Sequence, residues 1–328
     1  MGKVLVTGGA GFIGFHLSSS LADKENNVTI VDNLFRGKKD KEFMSLMSRK
    51  NVKYIEGDLT NPETFKSLDK DYDEVYHLAA INGTKHFYES PHIVLRTNIL
   101  STLNVLDWFS TTQSKKILFS SSCETYAGTM NRFGLPIPTP EDVPLSIEDI
   151  KNPRWSYGGS KILGELMFIN YAKTHRFKMS IVRYHNIYGP RMGHEHVIPE
   201  FLYRVYNKEE PFLIRGNDKR AFCYIDDAVK ATELVMKTEA CNDKIINIGN
   251  DLELIPMEEL AKTIFKVLNH NSRIEIQDSP AGSVSKRCPD ISKLMALTGY
   301  KPEIMLQEGI MRTHHYYYNK HKEGASNE

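Results

Sequence analysis

Thr7-Gly8-Gly9-Ala10-Gly11-Phe12-Ile13-Gly14 is the stretch whose reading decides the fold. Lys3 to Thr7 just before it is a short β-branched run and reads as a buried strand. Beyond it, Ile13, Leu17 and Leu21 recur every fourth residue, so a helix starts at the glycines. Val28-Thr29-Ile30-Val31 is a second strand, closed by Asp32. The order is strand, Gly-rich turn, helix, strand, acid. The glycines fall at 8, 11 and 14, not in the tighter Gly-x-Gly-x-x-Gly spacing. The mechanism is the same: missing side chains let the backbone turn sharply and approach a pyrophosphate, whose charge meets a helix N-terminus. Asp32 is placed to accept hydrogen bonds from an adenosine ribose, and a carboxylate there repels a 2′-phosphate, which favours NAD over NADP. In this context the turn points to a dinucleotide.

The alternation continues outward. Val52 to Glu56 reads as a strand running into Gly57-Asp58-Leu59, and Glu74 to Leu78 as another running into Ala79-Ala80. Ile93 to Phe109 is an apolar-rich helix carrying Asn98. Lys116 to Phe119 is a strand ending in Ser120-Ser121-Ser122. Thr129 to Pro153 is rich in Pro and acids and reads as a surface loop. A helix from Tyr157 to about His175 and a strand at Met179 to Val182 follow. Such alternation predicts an α/β fold: a doubly wound parallel sheet with helices on both faces and ligands outside the carboxyl ends of the strands.

After Tyr184 the character changes. Residues 185–199 carry Gly, Pro and His without periodicity. Phe222 to Ile225 and Lys244 to Ile248 are strand-like, with a helix from about Asp227 to Lys237 between them; shorter helices and a strand at Arg273 to Ile276 come later. This predicts a dinucleotide-binding domain of residues 1–183 and 222–250, interleaved with a smaller C-terminal α/β domain of residues 184–221 and 251–316. The tail after His314 reads as a frayed end, with 317–328 flexible and its His pair not expected to bind metal.

The totals exclude several classes. At 328 residues, 41% apolar and 25% charged, the chain is an ordinary globular one. Its 42 basic and 41 acidic residues give no field for nucleic acid or an anionic membrane. Cys123, Cys223, Cys241 and Cys288 are scattered, without metal-ligand or disulfide spacing. The first residues enter a strand at once, which leaves no room for a signal peptide, and no run is long enough to span a bilayer. The expectation is a protein of a reducing compartment, the cytoplasm.

Trp155-Ser156-Tyr157-Gly158-Gly159-Ser160-Lys161 holds the chemistry. Residues four apart on a helix share a face. A phenol beside an ammonium forms an acid–base unit: the cation favours phenolate, so the Tyr157 pKa is expected to fall until its oxygen can take a proton from a sugar or alcohol hydroxyl.

Together these residues resemble the extended short-chain dehydrogenase/reductases that act on nucleotide sugars. The resemblance spans nearly the whole chain. It rests on the Gly8/Gly11/Gly14 turn, Asp32-Asn33-Leu34, Gly57-Asp58-Leu59, His77-Leu78-Ala79-Ala80, Ser120-Ser121-Ser122, Tyr157 with Lys161, the run from Arg183 to Arg191, and Tyr224-Ile225-Asp226-Asp227. It implies a Rossmann domain with a small sugar-nucleotide domain, paired as a homodimer or higher oligomer through the Ile93 and Tyr157 helices. It implies that Gly8, Gly11, Phe12, Ile13, Asp32 and Asn33 hold NAD, that Asp58 and Leu59 flank the adenine, and that Leu78, Ala79, Ala80, Ser120 and Tyr184 line the cofactor cleft. Ser122 would hydrogen-bond the sugar 4-hydroxyl, Tyr157 would take its proton as C4 gives hydride to NAD, and Lys161 would bind the nicotinamide ribose. Asn186, His196, Val197, Arg220 and Arg287 match positions that hold the nucleotide sugar; an Arg fork suits a pyrophosphate. A cytoplasmic role in making a surface glycan is implied by the family alone.

Ser122-Cys123-Glu124-Thr125-Tyr126 departs from the 4,6-dehydratases, which carry Thr-Asp-Glu there. Glu124 is placed either to enolise a 4-keto sugar at C5 or only to bind sugar hydroxyls. Cys123 is either an acid for a leaving group, as in 5,6-elimination, or a small buried filler. Epimerisation, dehydration, decarboxylation, release of the 4-keto sugar and a silent NAD-binding module all remain open. The loop Gly189 to Pro199 is expected to roof the sugar. Its His194, Glu195 and His196, alternating along a loop, are poor metal geometry, and no metal is expected.

Overall fold

The computed structural model describes residues 1–279 and 284–325. Seven strands form the central sheet: β1 (Lys3–Thr7), β2 (Asn27–Asp32), β3 (Val52–Glu56), β4 (Glu74–His77), β5 (Lys116–Ser122), β6 (Lys178–Tyr184) and β11 (Lys244–Ile248). Their order is β11-β6-β5-β4-β1-β2-β3, and every pairing is parallel. The chain runs from β1 outward to β3, then returns to β4 on the other side of β1. That reversal opens a crevice at the carboxyl ends of β1 and β4, where a doubly wound sheet takes its ligand. This is the Rossmann architecture.

The uninterrupted apolar strands follow from burial on both faces. In β1, Val4 and Val6 pack into one hydrophobic layer and Leu5 into the other. The flanking helices are α1 (Phe12–Asp23), α2 (Lys41–Met47), α3 (Thr84–Glu89), α4 (Pro91–Ser110), α5 (Ala127–Phe133), α6 (Trp155–His175) and α8 (Ile225–Lys237). The α6 helix presses close on β5: a Cβ on Gly164 would stand 2.4 Å from the Phe119 ring. Only glycine permits that approach, and it sets Tyr157 and Lys161 over the end of β5.

The smaller region is built from short pieces. Strand β7 (Ile187–Tyr188) pairs with β10 (Cys223–Tyr224), β8 (Phe212–Arg215) with β13 (Ile274–Gln277), and β9 (Lys219–Ala221) lies between β12 (Leu254–Pro256) and β14 (Lys286–Arg287). Helices α7 (Val197–Tyr206), α9 (Met257–Leu268), α10 (Ser292–Thr298) and α11 (Leu306–Ala325) complete it. Among the described residues no helix is long and apolar enough to cross a membrane, and no cluster could hold a metal ion.

Two expectations fail. The Thr129–Pro153 stretch is not simply a surface loop. It begins inside α5, and its middle is tied into the molecule: Thr139 N–H donates to Cys288 O at 2.9 Å, and Glu141 is buried, accepting from Asn247 N–H at 2.8 Å. Nor is the chain frayed after His314. The α11 helix continues to Ala325 and buries Tyr317. Aromatic side chains of that helix have a surface to cover, which its polar composition conceals. Residues 326–328 lie outside the described residues.

Candidate active site

The Gly-rich turn is a cradle that side chains would fill. Gly8 sits at φ +72°, and a Cβ on Gly14 would stand 2.2 Å from Gly8 O. Gly11 caps α1 without any side-chain hydrogen bond, and the first turn carries no acid. The exposed amides of such a helix end suit an anionic phosphate. Asp32 closes β2 and accepts from Ala10 N–H at 3.0 Å and Leu34 N–H at 2.7 Å. Burial raises its pKa and these bonds offset the rise in part. The donor set and the missing side chains fit a dinucleotide.

A cleft of about 950 Å³ runs from this turn along the strand ends. Every cofactor candidate lines it: Gly8, Gly11, Phe12, Ile13, Asp32, Asn33, Asp58, Leu59, Leu78, Ala79, Ala80, Ser120, Tyr157, Lys161 and Tyr184. Ser122, Cys123 and Glu124 line its far half with Asn186, His196, Val197 and Arg287. Arg220 does not. It stands beside Arg287 at the same register but turns to Asp218 at 3.3 Å and to Lys219 O, and burial pushes its pKa down to about 10.

Several residues build the wall without having been assigned a role from the sequence. Asn98, buried in α4, bonds both backbone groups of Ile81 and reaches Ser160 Oγ at 3.1 Å, pinning the cleft wall to the Tyr157 helix. Phe87, from α3, stacks on Tyr157 with centroids 5.0 Å apart and planes 14° off parallel. Arg36 and Arg191 also line the cleft.

The expected fall in the Tyr157 pKa does not occur. Burial raises it, and the Ser122 hydrogen bond and Arg36 offset that only in part. Lys161 is itself buried, its Nζ 5.7 Å from the Tyr157 ring centroid and donating to Ser120 O at 2.7 Å. Burial lowers its pKa to about 7, with Glu165 opposing. Desolvation, which sequence reasoning could not see, is the largest cause for both groups, and Lys161 is not among the main charges acting on Tyr157.

A stability consequence follows. The Lys161 pKa falls from 10.5 in the unfolded chain to about 7 in the folded one. Between those values the unfolded chain binds more protons, so stability rises with pH. Burying the ammonium therefore costs most at and below about pH 7, and nothing above about 10.5. Lys161→Met is expected to stabilise the protein by on the order of 2 kcal/mol or more near neutrality, a gain that shrinks as pH rises. Denaturant titrations at several pH values check this; a gain independent of pH contradicts it.

Glu124 lies between two guanidinium groups. Arg287 Nη1 donates to Oε1 at 2.9 Å and Arg154 Nη2 to Oε2 at 3.4 Å. Burial raises its pKa, but the two arginines overcome that and hold the carboxyl below its usual value. Arg287 Nη2 is buried and finds no hydrogen-bond partner among the described residues. Burial pushes the Cys123 thiol up, so it stays protonated.

The model of the NAD-dependent epimerase/dehydratase family matches residues 4–249. A UDP-N-acetyl-α-D-glucosaminuronate decarboxylase of Bacillus cytotoxicus is 34% identical over 95% of this chain and 96% of its own length. UDP-glucuronic acid decarboxylase 6 of Arabidopsis thaliana is 31% identical over 94% of this chain and 86% of its own. Among solved structures, a Thermotoga maritima UDP-glucose 4-epimerase with UDP-glucose superposes with a TM-score of 0.85 at 29% identity, covering 97% of this chain and 99% of its own. A variant UDP-glucuronic acid 4-epimerase from Bacillus cereus, with a fluorinated UDP-glucuronic acid and NAD bound, matches with a TM-score of 0.85 at 26% identity, covering 97% of this chain and 99% of its own.

Proposed function

The chain belongs to the NAD-dependent epimerase/dehydratase family, and from that premise we propose that it oxidises C4 of a UDP-linked uronic acid and then releases the sugar carboxylate as carbon dioxide. When bound, NAD supplies the acceptor for the C4 hydride. Tyr157 takes the 4-hydroxyl proton, Ser122 orients that hydroxyl, and Lys161 stands under the phenol. A 4-keto uronic acid is a β-keto acid. Its C5–C6 bond breaks with the electron pair moving toward the C4 oxygen, carbon dioxide leaves, and C5 regains a proton. Tyr157 holds the proton that the C4 oxygen needs, and NAD, when bound, would give the hydride back to C4, so no outside oxidant would be consumed. The Cys123 thiol, kept protonated by burial, is the acid we assign to C5.

One observation carries the reading. Arg287 reaches the Ser122 end of the cleft with its guanidinium against Glu124 and Cys123, and its buried Nη2 has no geometric hydrogen bond among the described residues. The Arg287 guanidinium at this end of the cleft is a group that a substrate carboxylate would pair with. Glu124, held ionised by both arginines, is a weak base for C5, which argues against enolisation there. The relatives named as decarboxylases support the same reading. The exposed aliphatic faces of α4 and α6 (Ile93, Leu95, Leu163, Leu166 and Ile169) are the dimer contact this reading assigns.

The test is incubation with UDP-glucuronic acid and UDP-N-acetylglucosaminuronic acid labelled at the carboxyl carbon. Labelled carbon dioxide together with a UDP-pentose is expected from one of them. A 4-epimer that keeps its carboxylate would overturn decarboxylation and leave C4 oxidation standing.

A further inference from the structure

The chain from Gly189 to His196 carries Met192, His194, Glu195 and His196 on the cleft wall, and it makes few backbone bonds of its own. It is held from two sides. Toward the dinucleotide-binding half, Arg191 pairs with Asp40 and lies over the Phe15 ring at 3.9 Å, and Arg36 stands 3.7 Å from Glu195. The other anchor is α11. Tyr317, 3% exposed, donates its hydroxyl to Met192 O. The His194 ring meets Tyr203 at 4.5 Å and Tyr317 at 5.4 Å, edge to face with both. One turn on, Lys320 pairs with Glu42 of α2 at 3.2 Å, so α11 also reaches the segment behind the dinucleotide turn.

We propose that Tyr317 is a positioning residue for nucleotide-sugar binding, which fastens the 189–196 loop to the C-terminal helix through Met192 and His194. This rests on the reading of the cleft as a nucleotide-sugar site. The loop is held by its arginine contacts on one side and by the Tyr317 bond on the other. Without that bond the half-buried Met192 carbonyl loses its partner, and the wall that His196 and Val197 present to the sugar loosens. The stretch Tyr316-Tyr317-Tyr318, which reads as a solvated tail in the sequence, thereby acts on the site from a distance.

The test compares Tyr317→Phe with Tyr206→Phe. Tyr206 bonds His314 of the same helix at 2.9 Å but does not touch the loop, so it loses an equivalent hydroxyl. Tyr317→Phe is expected to raise KM for the nucleotide sugar about tenfold, with kcat and NAD retention unchanged, and to speed amide hydrogen exchange in residues 190–196. Tyr206→Phe is expected to do neither. Equal KM and exchange in the two variants, or a loss of thermal stability in Tyr317→Phe without either change, would overturn the proposal. If the wild-type protein turned over no nucleotide sugar, the functional reading would fall, and the exchange comparison alone would still decide the anchor.

Discussion

Tyr157→Phe is expected to lower turnover by about 10³-fold, within the range a positioned acid–base group contributes, while the protein keeps its fold and its dinucleotide. The ring is 6% exposed and stacked on Phe87, so Phe fits the same space and only the hydroxyl is lost. The pH dependence is a second readout. The active form is phenolate with ammonium, which carries as many protons as phenol with neutral amine. Its population therefore climbs with pH while Lys161 remains charged, and is level once Lys161 titrates. With burial raising Tyr157 and Lys161 at about 7, kcat/KM is expected to rise to about pH 7 and stay flat above it. Turnover that survives the Tyr157→Phe change would place the base elsewhere.

Breaking the Glu165–Arg183 pair is expected to be the most destabilising single change near the site. Both side chains are buried. Arg183 Nε and Nη2 meet the two Glu165 oxygens at 2.9 and 2.7 Å, and Nη1 donates to Tyr126 Oη at 2.7 Å and Glu141 O at 2.9 Å. Ser121 Oγ donates to Glu165 Oε1 at 2.5 Å. Glu165→Ala leaves a guanidinium buried without its counter-charge, which costs about 3–5 kcal/mol. Calorimetry should show a large fall in Tm, and Glu165→Leu combined with Arg183→Met should recover most of it, because two matched apolar side chains carry no buried charge. Equal losses in the single and double variants would mean that packing, not charge, sets the cost. Ser121 and Arg183 are register partners on β5 and β6, so the pair underlies Ser122, and the single variant should lose activity at temperatures where the double retains it.

Sequence reasoning reached the parts of the site whose cause is local. A Gly spacing, an acid at a strand end and a Tyr–Lys pair on one helix turn each need only a few neighbouring residues to be meaningful. Asp32, Ser122, Tyr157 and Lys161 accordingly come together on one cleft. What escaped depends on distant contacts. Phe87 and Arg154 touch Tyr157 and Glu124 only after α3 and the chain before α6 fold against the cleft, and neither sits in a pattern. The Tyr157 pKa departs from the sequence expectation for the same reason: its largest cause is burial by residues far away in sequence. The α11 helix looks polar because its aromatic residues cover a surface made of the 189–196 loop and α7, which no periodicity within the helix itself reveals. Arg220 and Arg287 appear equivalent in sequence and are register partners on β9 and β14; what separates them is the ion pair with Asp218, which holds the Arg220 guanidinium.

Hydride transfer at C4, with Tyr157 as the base, is the claim on which the rest depends. The most direct measurement uses UDP-glucuronic acid or UDP-N-acetylglucosaminuronic acid deuterated at C4, with near-ultraviolet absorbance followed on mixing and the product examined by NMR. The account predicts slower formation of reduced nicotinamide than with the protiated sugar, and a product that carries the deuterium back at C4. Turnover with no isotope effect and no nicotinamide signal, or a product whose C4 deuterium has exchanged with water, would contradict it.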